Sequence, residues 1–272
     1  MGETRAVDRM STDELFDRAF FEAVLEENDE DDEEAFLELI NADGSASQRL
    51  ISLPGNEAFE RSIALLDHEE PQWRSVGARV LRAFGEDKPP ASRTDEAVVA
   101  LIRALEIEQD PDALADMISA VGSLRDPRAM SIVLSFSGHE HQPVRFCVAC
   151  ALGALYEPDS ELTLAVEQSL VTLCSDESKY VRDYAMFNLR ATGIDSPAVF
   201  DAIASNLTDP YCQDEAATTL AAFGDPRATP VLISDLNDDK FWSATSTLLD
   251  YAVDRPNARL LPVLDAVAAS NR

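Results

Sequence analysis

The feature that most constrains the fold of this chain is a unit of two apolar helices that recurs along most of the sequence. Six segments align on one apolar position, and the intervals between them are 40, 31, 37, 31 and 29 residues: Leu81, Val121, Leu152, Leu189, Leu220 and Leu249. A mostly small or flexible residue stands three positions earlier, on the same helix face. After each segment comes a turn and a second apolar stretch. This period predicts an α-solenoid, in which each unit buries its face only against its neighbours.

A proline-containing tetrapeptide, Asp-Pro-Arg-Ala, occurs at 126–129 and again at 225–228, three repeats apart. An aspartate at the N-cap of a helix accepts hydrogen bonds from backbone N–H groups that lack partners. A proline at the first helical position loses no hydrogen bond there. The motif therefore predicts the start of a second helix at four residues: Asp126, Pro127, Asp225 and Pro226. The arginine of the motif is unexplained, because a helix start does not favour positive charge.

Three stretches carry a family resemblance: "PVRFCVACALGAL" at 143–155, "YVRDYAMFNLRATG" at 180–193 and "AAFGDPRATPVLISDLND" at 221–238. They resemble short HEAT-like repeats of the type first noticed in phycobilisome lyases. The resemblance covers about 73–270, with 50–70 as a degenerate earlier unit. It implies an all-α solenoid, a right-handed superhelix of about six HEAT-like hairpins with an N-terminal helical cap. The family spans scaffolds, inhibitors and a few lyases, so the resemblance is specific for fold and nearly silent on function.

The same resemblance implies a role for three arginines. Family members commonly carry an Asp at the end of one unit and an Arg near the start of the next. Here an arginine stands seven residues before the aligned position in three repeats: Arg74, Arg145 and Arg182. Acidic residues end several units: Asp176, Glu177, Asp209 and Asp238. A structural ladder of ion pairs between repeats is the favoured interpretation, and an arginine-based ligand site is the alternative.

The first 48 residues form a separate acidic segment in this interpretation, with the solenoid at 49–272. Residues 11–28 predict an amphipathic helix that begins with a capping box of Ser11 and Glu14. An acidic run at 26–34 follows. It is either a solvated loop leading into the next helix, or a docking patch for a basic partner or a divalent cation. Its candidate binding residues are Asp29, Glu30, Asp31 and Asp32.

The charge balance restricts the partner. The chain has 51 acidic against 22 basic residues, a formal net charge of −29, and only three of the basic residues are lysines. This composition argues against a nucleic-acid binder, which needs clustered Lys and Arg. It fits a protein from a salt-loving organism or an acidic surface made for a basic partner. The N-terminus lacks the apolar run of a signal peptide and no segment suits a membrane span, so a cytoplasmic protein is expected.

The sequence offers little catalytic chemistry. One cluster resembles a zinc-ligand set: His139, His141, Cys147 and Cys150. Tetrahedral zinc uses these ligand types, but the cysteines lie in a packing helix, and buried cysteine is common in protein cores. The common nucleophile, metalloprotease, phosphate-loop and dinucleotide motifs are missing. We therefore expect no cofactor, no structural metal and no enzymatic activity. The minority hypothesis is a bilin lyase or isomerase with one accessible Cys or His.

Aromatic residues mark the starts of several first helices: Trp73, Tyr180, Tyr211 and Trp242. They either staple each helix entry to its neighbour or form an aromatic edge that anchors a partner. The leading hypothesis is a non-enzymatic scaffold whose concave acidic surface binds a basic protein or peptide. The alternative within the binding class is an acidic inhibitor or immunity-type protein that mimics nucleic acid.

Overall fold

The computed structural model describes residues 10–27, 45–53, 55–86, 91–238 and 259–270. Within these ranges the chain contains fourteen α-helices and no β-strand. The all-α class predicted from the recurring apolar positions is therefore confirmed. Backbone contacts divide the chain into two compact units, Met1–Phe136 and Ser137–Arg272. The separate boundary near residue 48 stays a prediction, since 28–44 lie outside the described residues.

Unit 1 contains seven α-helices in its described part: α1 Thr12–Glu27, α2 Ser45–Ile51, α3 Glu57–Leu65, α4 Pro71–Glu86, α5 Ala91–Leu105, α6 Pro111–Leu124 and α7 Met130–Ser135. Helices α4 and α5 form one hairpin and α6 and α7 the next, and α6 packs along α4. Helix α1 packs on α2 and α4. It begins with the predicted capping box, in which the Ser11 backbone N–H donates to Glu14 Oε2 at 2.7 Å.

Unit 2 likewise has seven described α-helices: α8 Gln142–Leu155, α9 Thr163–Leu173, α10 Lys179–Thr192, α11 Pro197–Ala204, α12 Gln213–Phe223, α13 Thr229–Asp238 and α14 Leu261–Ser270. The first helices of its hairpins stack in the order α8, α10, α12, and the second helices α9 and α11 also touch. Five complete hairpins are thus described in the two units. Of the sixth predicted hairpin only the second helix, α14, lies among the described residues.

The aligned positions form the core of each stack. Five of the six aligned residues are fully buried, as are the residues three positions before them: Leu81, Val121, Leu152, Leu189, Leu220, Ala78, Ile118, Ala149, Met186 and Ala217. The sixth, Leu249, lies outside the described residues. Burying a side chain the size of Leu stabilises a fold by about 1.5–3 kcal/mol. The repeated stripe therefore stabilises the packing of the described hairpins.

The Asp-Pro-Arg-Ala motif starts the second helix in both hairpins that carry it. Asp126 Oδ1 accepts from the backbone N–H of Arg128 at 3.0 Å, and Asp225 Oδ1 accepts from Arg227 at 2.9 Å. The prolines open a short 3₁₀ turn, Pro127–Ala129 or Pro226–Ala228, that leads directly into α7 or α13. The sequence predicted the helix start but not its tighter first turn.

Candidate functional site

The loops between hairpins are held by arginines that each make a fork of hydrogen bonds. Arg145 Nε donates to Asp176 Oδ2 at 2.6 Å and Nη2 donates to Oδ1 at 3.0 Å. Its Nη1 donates to the backbone carbonyls of His139 and Glu140, both at 2.9 Å. The side chains of Arg145 and Asp176 are only 10% and 7% exposed. One guanidinium thus ties the loop before its hairpin to the loop after it.

Two further arginines repeat this arrangement. Arg74 donates to both carboxylate oxygens of Glu108 at 2.7 Å, and its Nη1 donates to the carbonyls of two residues in the preceding loop. Arg182 pairs with Asp209. Burial alone would raise the pKa of Glu108, but hydrogen bonds from Arg74 and from two backbone N–H groups outweigh it and lower the pKa. Arg182 Nη1 donates to the backbone carbonyls of Asp176 and Glu177. The loop before a hairpin thus provides carbonyl acceptors, and the loop after it provides the carboxylate.

The arginine of the tetrapeptide also has a structural role. Arg128 folds back on Asp126, with Nε to Oδ1 at 2.9 Å and Nη2 to Oδ2 at 2.7 Å. Its Nη1 donates to Asp95 of α5 at 2.8 Å. In unit 2 the corresponding arginine makes the same fork and reaches Asp201 of α11, also at 2.8 Å. The motif therefore links the second helices of consecutive hairpins, and the same hydrogen bonds occur in both units.

The predicted aromatic positions have different surroundings. Trp73, in unit 1, is half-buried and stacks on Phe20 of α1, with ring centroids 4.5 Å apart. In unit 2, the Lys179 ammonium lies 4.9 Å from the ring centroid of Tyr180 and 4.4 Å from that of Tyr211. Tyr211 is 69% exposed. Trp242 and the acidic residues Asp29, Glu30, Asp31 and Asp32 lie outside the described residues, so their binding role stays a prediction.

The His and Cys cluster offers little to a metal. The rings of His139 and His141 lie 5.7 Å apart, while Cys147 is buried in α8. Across the described ranges, no three His, Cys, Asp or Glu side chains are grouped so that they could hold a metal ion. Burial, with the neighbouring Cys147, raises the pKa of the Cys150 thiol well above its usual value. A thiol in this state is a poor nucleophile and a poor ligand, because both roles require the thiolate.

The most unusual surface of unit 2 lies on the first helices α10 and α12. On α10, Tyr184 and Phe187 are 37% and 46% exposed, although both are large aromatic residues. Phe187 lies next to Arg190, whose guanidinium carbon is 5.2 Å from the ring centroid. Arg190 Nη1 pairs with Glu215 Oε1 of α12 at 2.9 Å. We call this surface the α10 face, and its residues are Asp183, Tyr184, Phe187, Arg190, Asp214 and Glu215.

Two carboxyl groups of the α10 face hold their protons unusually well. Burial raises the pKa of Asp183 to about 6, and the nearby Asp214 adds to the rise while Arg190 opposes it. Burial also raises the pKa of Glu215 to about 7, although Arg190 and Thr219 favour its ionised form. The guanidinium of Arg190 thus faces both of these carboxyl groups in a partly dry environment, and its charge does not offset the effect of burial on their pKa values.

The α10 face was not predicted from the sequence, although the aligned repeats show that this side of the helix varies. Tyr184 and Phe187 stand five and two residues before the aligned Leu189. The corresponding residues in the described repeats are chemically mixed: Val76 and Arg79, Asp116 and Ser119, Cys147 and Cys150, Glu215 and Thr218. Such variation beside an invariably apolar position indicates a helix side that is not a uniform core. What the alignment could not show is that the aromatic pair is exposed.

Within the described parts of the chain, no helix combines the length and apolar character that crossing a bilayer requires.

Comparison with known proteins supports the repeat architecture. Residues 213–238 match the family model of the PBS lyase HEAT-like repeat. The fold is similar to the X-ray structure of the Escherichia coli protein YibA, with a TM-score of 0.65 and 18% sequence identity over 98% of this chain and 96% of that one. No curated protein matches the chain.

A weaker likeness exists to a designed armadillo repeat protein in complex with the peptide (KR)4. Its TM-score is 0.49 at 14% identity, over 68% of this chain and 96% of that one. A TM-score below 0.5 does not establish a common fold, so this likeness has no bearing on function.

These findings define the chain as a helical-repeat protein built from stacked hairpins. One stretch, residues 213–238, matches the PBS lyase HEAT-like repeat, which confirms the resemblance predicted from the sequence at that repeat. This class includes proteins of unrelated activities, so function has to be argued from the surface and its chemistry.

Proposed function

We propose that this protein is a non-enzymatic interaction module that binds a basic protein or peptide. The observation behind the proposal is that arginines are paired with acidic residues of the same chain. Ten arginines of the described ranges form ion pairs with acidic residues of the same chain: Arg61, Arg74, Arg79, Arg82, Arg128, Arg145, Arg182, Arg190, Arg227 and Arg259. These positive charges are thus neutralised by carboxylates within the protein. The excess of acidic residues, a net charge of −29, determines the electrostatic field around the protein.

Two properties of the structure favour binding over catalysis. Within each unit, stacked hairpins place helices side by side, and helical-repeat proteins use such helix faces to bind partners. The thiols that a lyase would need are poorly suited to reaction, because burial raises the pKa of Cys174 to about 12 and that of Cys212 to about 11. The net charge of −29 equally fits an acidic inhibitor that mimics nucleic acid, whose partner would be a nucleic-acid-binding protein.

The test uses a peptide of defined charge and the full chain. Binding of fluorescein-labelled octa-arginine is measured by anisotropy in 20, 150 and 500 mM NaCl, with octa-glutamate as the control. We expect saturable 1:1 binding of octa-arginine that weakens steeply with salt, because screening shortens the range of the attraction. Octa-glutamate should not bind. No binding of octa-arginine at 20 mM NaCl would contradict the proposed function.

A further inference from the structure

We infer that the α10 face is the docking site for the basic partner, and that it receives an arginine side chain of that partner flanked by an apolar residue. This inference rests on the function proposed above and makes it specific to one surface. Three features support it: the exposed aromatic pair, the imbalance of charge around this pair, and the different residues at the equivalent positions in unit 1.

The two exposed aromatic side chains lie on one side of α10. Positions i, i+3 and i+4 of a helix lie on one side, so Asp183, Tyr184 and Phe187 share a stripe that ends at Arg190. The ring of Tyr184 packs edge-on against Phe146 of α8 at 4.6 Å, which holds it in place. Among the described helices, α10 is the one that exposes two large aromatic side chains. Exposed aromatic residues beside charged groups are typical of binding hot spots.

The charges of the α10 face are complementary to a cation. Asp183 and Glu215 both interact with the guanidinium of Arg190, whose side chain is only 8% exposed, and Asp214 adds a third carboxylate near Asp183. A second guanidinium supplied by a partner would balance this excess of carboxylate, and the aromatic rings offer it a cation–π contact. An apolar neighbour of that arginine would cover the exposed rings. A flat, planar cation suits the site better than an ammonium, because it can stack and pair at the same time.

Unit 1 does not repeat this surface at the equivalent positions. At the positions equivalent to Phe187 and Glu215, it carries Arg79 and Asp116, which pair with each other at 2.7 Å. The described residues of α4 and α6 expose no large apolar side chain. The α10 face is therefore not a feature that every repeat of this chain needs for stacking.

Docking of a cation at this surface should also depend on pH. Asp183 is faced by Arg190 on its own helix, by Asp214 and Glu215 of α12, and by Cys212 at the start of that helix. Tyr184 beside it faces Cys150 of α8. Because Asp183 and Glu215 are partly protonated between pH 5 and 7, a bound cation must displace protons. Affinity should therefore rise from pH 5.5 to pH 8, a range in which ordinary surface carboxylates are already ionised.

The experiment follows the peptide acetyl-Arg-Leu-Arg-Leu-Arg-amide onto the full chain by NMR and by calorimetry. In the natural protein, we expect backbone shifts to concentrate in α10 and the first turn of α12. The variants Phe187→Ser and Asp183→Asn should each weaken binding by roughly tenfold. The matched controls are Leu164→Ser, a more exposed apolar residue of α9, and Glu157→Gln, an exposed acid of the same unit. Each control should change the dissociation constant less than about twofold.

The outcomes separate the two proposals. No peptide binding to the natural protein contradicts the proposed function itself. Binding that the α10 variants leave unchanged, with shifts elsewhere on the chain, overturns the docking site but keeps the function. Self-association of the free protein in sedimentation that Phe187→Ser abolishes also overturns it, because a second copy then covers the face. Circular dichroism confirms that each variant is folded, and the shift map of the natural protein decides the matter if one is not.

Discussion

At the scale of single residues, the packing of neighbouring helices depends on positions that leave no room for a side chain. Gly77 lies in the middle of α4, where a Cβ atom would lie 2.7 Å from the carbonyl oxygen of Ser62 and 3.0 Å from Cβ of Leu65. Both atoms belong to α3, and the first is backbone, which cannot rotate away. Glycine inside a helix costs about 1 kcal/mol relative to alanine, and at this position the close contact with α3 explains its use.

We therefore expect Gly77→Ala to lower the free energy of unfolding by about 1–2 kcal/mol. Overpacking costs about 1–3 kcal/mol, and the better helix propensity of alanine offsets up to about 1 kcal/mol of it. The matched control is Gly138→Ala, where a Cβ meets nothing within 4 Å and the backbone is not in the left-handed region. That control should be neutral or slightly stabilising. Urea unfolding followed by circular dichroism measures both, and equal effects of the two substitutions would show that α3 yields to the added methyl group.

Single residues also show where sequence reasoning reaches its limit. The roles of Asp126 and Pro127 as helix-start residues follow from local chemistry, and the structure has both in place. The role of Arg128 does not, because one of its partners is Asp95, 33 residues earlier in another helix. Contacts between repeats depend on how hairpins stack, and residue types alone do not specify this.

At the scale of elements, the arginine fork is the interaction that fixes one hairpin loop to the next. Removing the arginine leaves Asp176 nearly buried without its counter-charge, and breaking a buried pair in this way costs about 3–5 kcal/mol. We expect Arg145→Ala to lower the stability by that order. Arg145→Lys should recover only part of the loss, because an ammonium cannot make the fork and reach the two carbonyls together.

A double-mutant cycle assigns this effect to the pair. The double variant Arg145→Ala with Asp176→Asn should be more stable than the sum of the two single effects predicts, since neither charge is then left alone. The control is Asp13→Asn, which removes an 84%-exposed partner of Arg61 and should change stability by less than about 1 kcal/mol. Additive effects of Arg145→Ala and Asp176→Asn in urea unfolding would mean that the fork contributes no coupling energy.

At the scale of the whole molecule, the aligned apolar positions were sufficient to predict the helical class, the period and the buried register. Leu152, Leu189 and Leu220 are buried as the alignment predicts, because a hairpin buries its apolar stripe against the neighbouring hairpins. The side of α10 that stays exposed could not be predicted in this manner. Tyr184 and Phe187 are residue types that usually lie in the core. Their exposure depends on how α10 packs between α8 and α12, which the sequence does not specify.

The charge of the whole molecule leads to a last prediction. With 51 acidic and 22 basic residues, repulsion among surface carboxylates opposes the compact state. Raising NaCl from 0.1 to 1 M shortens the screening length from about 10 Å to about 3 Å, which weakens this repulsion. It weakens exposed ion pairs too, but each of these contributes only about 0–1 kcal/mol, and nearly buried pairs such as Arg145 with Asp176 are screened little. Repulsion should therefore dominate, and the melting temperature should rise by about 5 °C, equivalent to roughly 2 kcal/mol for a chain of this size.

Calorimetry in NaCl and KCl measures the rise, and sulfate is avoided because it strengthens apolar burial by exclusion from the surface. A melting temperature that falls with salt would instead mean that exposed ion pairs, and not the excess of acid, govern the stability of this repeat stack.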